Sequence, residues 1–134
     1  MLEAYSINLS ADAESAVPLN NIAIDKGCTA KLVAPATIQL NKAGIYMVSC
    51  DASFIPTAAG TVGVQLRKNG QPLPQAQSTE TGAEDTISSL SFYTLVQVSQ
   101  NNNQCCNTNP TLLQVVNLSA GTFNSINVCV TKIC

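Results

Sequence analysis

The chain has 134 residues and a formal net charge of −2, and only 10% of its residues are charged. This length suits one domain with a sizeable core, so we predict a single domain over residues 1–134. The absence of tryptophan and of any basic run argues against nucleic-acid binding. Because the chain contains no histidine, Ser-His-Asp and Cys-His catalytic arrangements cannot form, and we expect a protein that is not an enzyme and holds no cofactor.

Short segments that alternate apolar and polar side chains follow one another along the whole sequence, with turn residues between them. The predicted strands cover 4–10, 17–24, 29–33, 37–41, 44–55, 61–68, 71–81, 86–99, 111–118 and 123–133. The segment 17–24 is interrupted by Asn20-Asn21, and 71–81 is an edge strand or a loop because it contains Pro72 and Pro74. Eight to ten strands at this density predict an all-β, two-sheet antiparallel jelly roll.

The clearest turn follows the strand 61–68, where Asn69-Gly70 supplies the positive φ values that a tight hairpin needs. Alternation then assigns one face of each strand to the core. The predicted core residues are Tyr46, Val48, Phe54, Val62, Val64, Leu66, Leu90, Phe92, Ile126, Val128 and Val130.

Two strands carry large apolar side chains on both faces. Tyr93 and Leu95, with Ile87, lie opposite the predicted core face of one strand, and Met47 and Ile55 do so on another. A sandwich buries only one face of each sheet, so this surplus indicates an oligomer contact. The competing interpretation is that these side chains pack beneath loops.

The order of the segments resembles the tumour-necrosis-factor/complement-q (TNF/C1q) jelly roll, as found in phage fibre proteins and bacterial collagen-like spore-surface proteins. The segments that carry the resemblance are Val17–Asn20, Thr37–Leu40, Ala43–Ser49, Ala59–Val62, Leu66–Gly70 and Asn127–Ile133. The most specific motif is the Leu-x-x-x-Gly-x-Tyr-x-Val run from Leu40 to Val48.

This resemblance implies a ten-strand TNF-like jelly roll that assembles as a tight homotrimer, with Tyr93, Leu95 and Met47 at the three-fold axis. It also implies a structural, adhesive or receptor-binding head on the virion surface: a head fibre, decoration or fibre tip of a phage particle. The partner would then be a host-surface, capsid or fibre protein. Alternatives are the C-terminal head of a collagen-like spore-surface protein and a soluble, extracellular trimeric signalling or recognition ligand. The sequence predicts neither a secretory signal nor membrane insertion.

The segment Asn101–Pro110 is a polar insertion where the family usually has a tight turn. It is a candidate binding loop, because loops on a rigid scaffold often carry recognition; a solvated connection is the competing interpretation. The candidate binding residues are Asn103, Gln104, Cys105, Cys106 and Asn107.

Six cysteines allow three disulfides, and no Cys-x-x-Cys pair occurs, which argues against a zinc site. Cys50 lies on an apolar strand face and is predicted to be a buried hydrophobic group. Cys105 and Cys106 are candidates for a disulfide, with Cys129 and Cys134 as their candidate partners. No metal site is predicted, although the sequence leaves open whether the acidic residues Glu80, Glu84 and Asp85 bind calcium. Asn117-Leu118-Ser119 matches the glycosylation acceptor pattern.

Overall fold

The structure is a computed structural model that describes residues 1–99 and 111–134. The described residues form strands and connecting turns, and none of their segments is a helix long and apolar enough to cross a membrane. The strands are β1 (Leu2–Ala11), β2 (Ser15–Ala16), β3 (Asn21–Asp25), β4 (Ala30–Ala34), β5 (Thr37–Leu40), β6 (Gly44–Pro56), β7 (Gly60–Lys68), β8 (Gln71–Gly82), β9 (Ser88–Val98), β10 (Thr111–Asn117) and β11 (Gly121–Lys132).

These strands form two antiparallel sheets packed face to face. The five-stranded sheet has the order β3-β1-β11-β6-β9, and the six-stranded sheet has the order β4-β5-β10-β7-β8 with β2 paired to β10 beside it. The prediction of an all-β, two-sheet jelly roll is confirmed. The longest strand, β6, lies between β11 and β9, so both of its edges are hydrogen-bonded within the sheet.

The core lies between the two sheets and takes side chains from both. All eleven residues that the alternation assigned to the core are buried, with exposed fractions of 8% or less. Tyr46, Phe54 and Phe123 are the largest fully buried side chains, and the rings of Phe54 and Phe123 pack at a centroid distance of 4.8 Å. The tilted contact between those rings is a favourable aromatic geometry, and it joins neighbouring strands β6 and β11.

The predicted hairpin turn is confirmed between β7 and β8. Asn69 has a φ of 52° and Gly70 a φ of 82°, the pair of positive values that a tight turn requires. The turn also contacts the start of β10: the Asn69 amide donates to the Leu112 carbonyl at 2.8 Å, and the Leu112 amide donates to Asn69 Oδ1 at 2.8 Å. The turn residues therefore fix both the β7–β8 hairpin and its contact with β10, which lies on the other side of β7.

The predicted strand over 17–24 is wrong for its first half. Residues 17–20 form no strand, and β3 begins at Asn21. Pro18 has no amide hydrogen to donate to a ladder. The amides of Val17 and Leu19 still donate to the carbonyls of Val115, at 2.8 Å, and Pro35, at 2.6 Å. The Ser6 hydroxyl donates to the Pro18 carbonyl at 2.7 Å and accepts from the Asn20 amide at 2.8 Å.

The polar segment with two prolines, predicted to be an edge strand or a loop, is the edge strand β8. Pro72 and Pro74 are tolerated because an edge strand leaves half of its backbone groups outside the ladder. The described residues contain eleven strands, one more than the predicted eight to ten, because β2, only two residues long, is counted separately.

Candidate oligomer interface on the five-stranded sheet

The candidate site is the outer face of the five-stranded sheet, the face that points away from the core. Along β9 the side chains alternate strictly between buried and exposed. Phe92 is 8% exposed, whereas Tyr93 is 64% and Leu95 is 48% exposed. Because alternate strand side chains point to opposite faces, these two large apolar groups stand in solvent in the single chain.

The strand register places the predicted interface residues side by side. Leu95 pairs with Met47 on β6, and Met47 pairs in turn with Thr131 on β11. Directly opposed residues in antiparallel strands have Cβ atoms about 4.5–5.5 Å apart, so their side chains touch. Tyr93 pairs with Ser49, one row further along the same face. We call Met47, Tyr93 and Leu95 the apolar patch.

The other two apolar residues of the predicted surplus do not belong to the apolar patch. Ile55 lies near the opposite end of β6, next to its last residue, Pro56. Ile87 precedes β9 and is 57% exposed. The alternation pattern alone assigned these side chains to one face, but only the register shows which of them are neighbours.

A polar region adjoins the apolar patch on the same face. It is a shallow cavity of about 300 Å³. The residues that line it are Asp51, Ala52, Ser53, Ser89, Leu90, Ser91, Ser125 and Asn127. Asp51 pairs with both Ser91 and Asn127, and Asn127 Nδ2 donates to Glu3 Oε1 at 3.1 Å. The sequence did not reveal this cavity, because its residues come from three strands that only the register brings together.

Two buried titratable groups lie beneath this face, and both stay neutral at ordinary pH. Burial raises the pKa of the Cys50 thiol to about 12, with a smaller contribution from the charge of Asp51. Burial also raises the pKa of the Tyr46 hydroxyl, which donates to the Lys42 carbonyl at 2.7 Å. Cys50 is 1% exposed within the core, which confirms the prediction that it is a buried hydrophobic group. A neutral buried thiol is also a poor nucleophile.

The candidate calcium ligands do not form a cluster. Glu80 lies on strand β8, whereas Glu84 and Asp85 lie between β8 and β9. Over residues 1–99 and 111–134, no three or more Cys, Asp or Glu side chains are grouped so that they could hold a metal ion. Glu80 takes part in the β7–β8 ladder opposite Val62, so it is not in the same loop as Glu84 and Asp85.

The candidate binding loop, Asn103, Gln104, Cys105, Cys106 and Asn107, lies outside the described residues. The candidate disulfide of Cys105 and Cys106 therefore stays a prediction. Their candidate partners are located. Cys129 is half-buried on the outer face of the sheet, paired with Ser49 and with Glu3, and Cys134 is exposed. Cys129 and Cys134 form no disulfide with each other.

The glycosylation acceptor pattern is inaccessible in the folded chain. Asn117 is fully buried, and its Nδ2 donates to the carbonyls of Asp12, at 3.4 Å, and Ser119. An acceptor asparagine must be exposed on a surface loop, so Asn117 serves packing at the end of β10.

No protein-family model matches the chain, and no curated protein matches it. Solved structures match over nearly its whole length. The globular domain of the zebrafish complement 1qA protein has a TM-score of 0.74 at 9% identity, over 99% of this chain and 96% of that one. Eiger TNF from S. frugiperda has a TM-score of 0.73 at 10% identity, over 99% of this chain and 92% of that one. This chain has the TNF/C1q-like jelly-roll fold.

PRD1 vertex protein P5 has the same TNF/C1q-like fold, with a TM-score of 0.62 at 15% identity, over 99% of this chain and 96% of that one. The resemblance predicted from the order of the strands is thus confirmed. Its most specific motif, from Leu40 to Val48, spans the connection where the chain passes from the six-stranded sheet into the five-stranded sheet. Identities this low show the fold alone.

Proposed function

We propose that the chain is a single jelly-roll domain, 1–134, that assembles as a homotrimer and serves as a non-enzymatic head on the surface of a phage particle. The observation that carries the proposal is the apolar patch, since Tyr93 is 64% and Leu95 is 48% exposed in the single chain. Side chains of this size, adjacent on one face of a sheet, mark an interaction surface. The trimer interface would then contain Tyr93, Leu95 and Met47.

The energetics favour burial of this patch against a second copy. Removing the exposed part of each large side chain from water would contribute roughly 1–2 kcal/mol to the free energy of association. A closed trimer repeats that contribution at three equivalent interfaces. The side chains that surround the patch, such as Ser49, Thr131 and Gln97, are short or neutral. The residues that pair directly with the patch therefore add no charge to it.

The particle-surface role is supported by the likeness to PRD1 vertex protein P5, and by a surface of few charges. The likeness to complement 1qA and to Eiger TNF supports a second candidate, a soluble trimeric signalling or recognition ligand. The head of a collagen-like spore-surface protein is a third candidate. All three candidate functions include a trimeric head. They differ in whether the head is attached to a phage particle, to a spore surface or to nothing.

The trimer is tested by light scattering coupled to size-exclusion chromatography. We expect a mass three times the 14.0 kDa of the chain. Tyr93→Asp places a charge inside the proposed interface and should give monomer or aggregate. Ser89→Asp is the matched control, because it adds the same charge on the same face of β9, opposite Ser53 and away from the patch. A monodisperse monomer for the unmodified chain would overturn the proposal.

The particle-surface role is tested by mass spectrometry of density-purified particles from the source culture. We expect peptides of this chain in the particle band, and antibody labelling at the particle exterior. Recovery of the chain only from the particle-free fraction would contradict the phage role and favour the soluble ligand.

A further inference from the structure

Three of the six basic residues lie at one end of the sandwich, near the start of β6. Lys132 Nζ lies 3.2 Å from the position that a Cβ on Gly44 would occupy. Lys68 Nζ donates to the Gln97 carbonyl at 2.7 Å, on the strand that pairs with the first residues of β6. Lys42 lies two residues before Gly44 and is exposed. We call Lys42, Lys68 and Lys132 the lysine cluster.

Within the described residues, no salt bridge joins a carboxylate to a member of the lysine cluster. Salt bridges of 4.0 Å or less join Lys31 to Asp25 and Arg67 to Glu14, and neither pair includes a member of the cluster. Residues 100–110 contain no charged residue in the sequence, so that segment supplies no counter-charge. The cluster is therefore a local positive region on a chain whose net charge is −2.

Carboxylates occupy the opposite end of the sandwich. The Asp85 amide donates to the carbonyl of Pro56, the last residue of β6, and Glu84 is its neighbour. Asp12 follows Ala11, which pairs with Gly121 beside that same end. At the usual rise per residue, the 13 residues of β6 span ~40 Å. The two ends are several Debye lengths apart at physiological salt, so each presents its own sign of charge to a partner.

We infer that the lysine cluster is a docking surface for an acidic protein surface. Ile133, which is 49% exposed, lies beside the cluster, and its amide donates to the Ile45 carbonyl at 2.8 Å. An apolar side chain bordered by charged groups is the usual anatomy of a protein interface. The cluster contains neither arginine nor an exposed aromatic ring on which bases could stack, which disfavours a nucleic-acid partner.

The charge separation also fixes the orientation of docking. An acidic partner attracts the lysine cluster and repels the end that carries Asp12, Glu84 and Asp85, so the head binds by one end only. The separation of positive and negative charge is present in each single chain and does not depend on the proposed trimer. In any assembly that keeps the strands of its copies parallel, the lysine clusters add together on one side.

The test measures binding of the full chain to immobilised poly-L-glutamate by bio-layer interferometry at 50 mM NaCl. Lys42→Gln/Lys68→Gln/Lys132→Gln should lower the affinity by about tenfold or more, since three charge contacts are removed. The matched control is Ala58→Glu/Ala59→Glu/Ala83→Glu, at exposed positions near the opposite end, which changes the net charge from −2 to −5 just as the first variant does. The control should stay within about threefold of the unmodified chain.

An equal loss in both triple variants would show a dependence on net charge alone and would overturn the inference. So would tighter binding to heparin, duplex DNA or phosphatidylglycerol vesicles than to poly-L-glutamate, or no binding at all. Lys42→Gln alone, at an exposed position, guards against misfolding of the triple variant and should lower the affinity about twofold to threefold. Running the same assay on Tyr93→Asp separates docking from trimer assembly, because a monomer that still binds supports the cluster even if the trimer is wrong.

Discussion

Cys50 illustrates how burial decides the chemistry of a single residue in this chain. Its thiol is 1% exposed, and its pKa is raised to about 12 from an ordinary value of 9.0. The folded chain therefore keeps this proton at a pH where the unfolded chain loses it. The stability that follows is complete below about pH 9 and is lost as the pH rises towards 12, by at most about 1.4 kcal/mol per pH unit.

We predict that the free energy of unfolding falls more steeply between pH 9 and pH 11 for the unmodified chain than for Cys50→Ala. Urea titrations at each pH measure this difference, and the subtraction removes the contribution of Tyr46, whose pKa is also raised. Cys50→Ala should itself be less stable at pH 7, because it leaves a small cavity. Parallel curves for the two proteins would contradict the prediction.

In native protein at pH 8, iodoacetamide should modify the exposed Cys28 and leave Cys50 unmodified.

A second prediction at this scale concerns Phe54, which is fully buried against Phe123. Phe54→Ala removes a ring from the centre of the core and should lower the free energy of unfolding by roughly 3–5 kcal/mol. The neighbouring Ser53→Ala is the control, because Ser53 points to the outer face and should change stability by less than about 0.5 kcal/mol. Denaturant unfolding measures the free energy of unfolding of both variants. Similar losses of stability in the two would mean that the strand register is wrong by one residue.

At the scale of elements, the β7–β8 turn offers a test of backbone strain without side-chain contact. Gly70 has a φ of 82°, and a Cβ placed there would meet no atom within 4 Å. Gly70→Ala should therefore destabilise the chain by about 1–2 kcal/mol through backbone conformation alone. Gln71→Ala, at the next position, is the control and should be nearly neutral. Thermal unfolding of both variants measures the difference, and an unchanged midpoint for Gly70→Ala would contradict a positive φ at that residue.

The strands that sequence analysis predicted well are those whose pattern is local. On β9 the alternation of Leu90, Phe92 and Val96 with Tyr93 and Leu95 is complete, and the structure reproduces it residue by residue. The strand expected over 17–24 failed in its first half because one residue, Pro18, breaks the ladder although the apolar pattern continues through it. Val17 and Leu19 are buried as the pattern implies, but without strand pairing.

The features that sequence analysis missed depend on contacts between distant segments. The members of the lysine cluster are separated by 26 and 64 positions, so no local pattern connects them. The polar cavity on the outer face is likewise assembled from β6, β9 and β11. The apolar patch could be predicted because Tyr93 and Leu95 are on one strand, and the pairing of Met47 with Leu95 then completed it.

For the whole molecule, the absence of histidine has a measurable result. The sequence contains no residue of the one type whose side chain ordinarily changes charge between about pH 5 and pH 8. We predict that the oligomer mass and the unfolding midpoint change little between pH 6 and pH 8 at fixed salt. Raising NaCl from 50 to 500 mM should weaken binding to poly-L-glutamate far more than this pH change does. A sharp transition near pH 6.5 would contradict the prediction.

The pairing of β1 with β11 carries a consequence for how the chain is made. Leu2 pairs with Val130, and β1 also pairs with β3, so the first strand reaches its place between two neighbours only when the last strand exists. On the ribosome, β1 and one edge of β6 emerge long before their common partner β11. Native-like pairing of the five-stranded sheet must therefore wait until β11 has been synthesised. High contact order of this kind gives slow folding, and it leaves apolar strands such as β6 exposed to other nascent chains in the meantime.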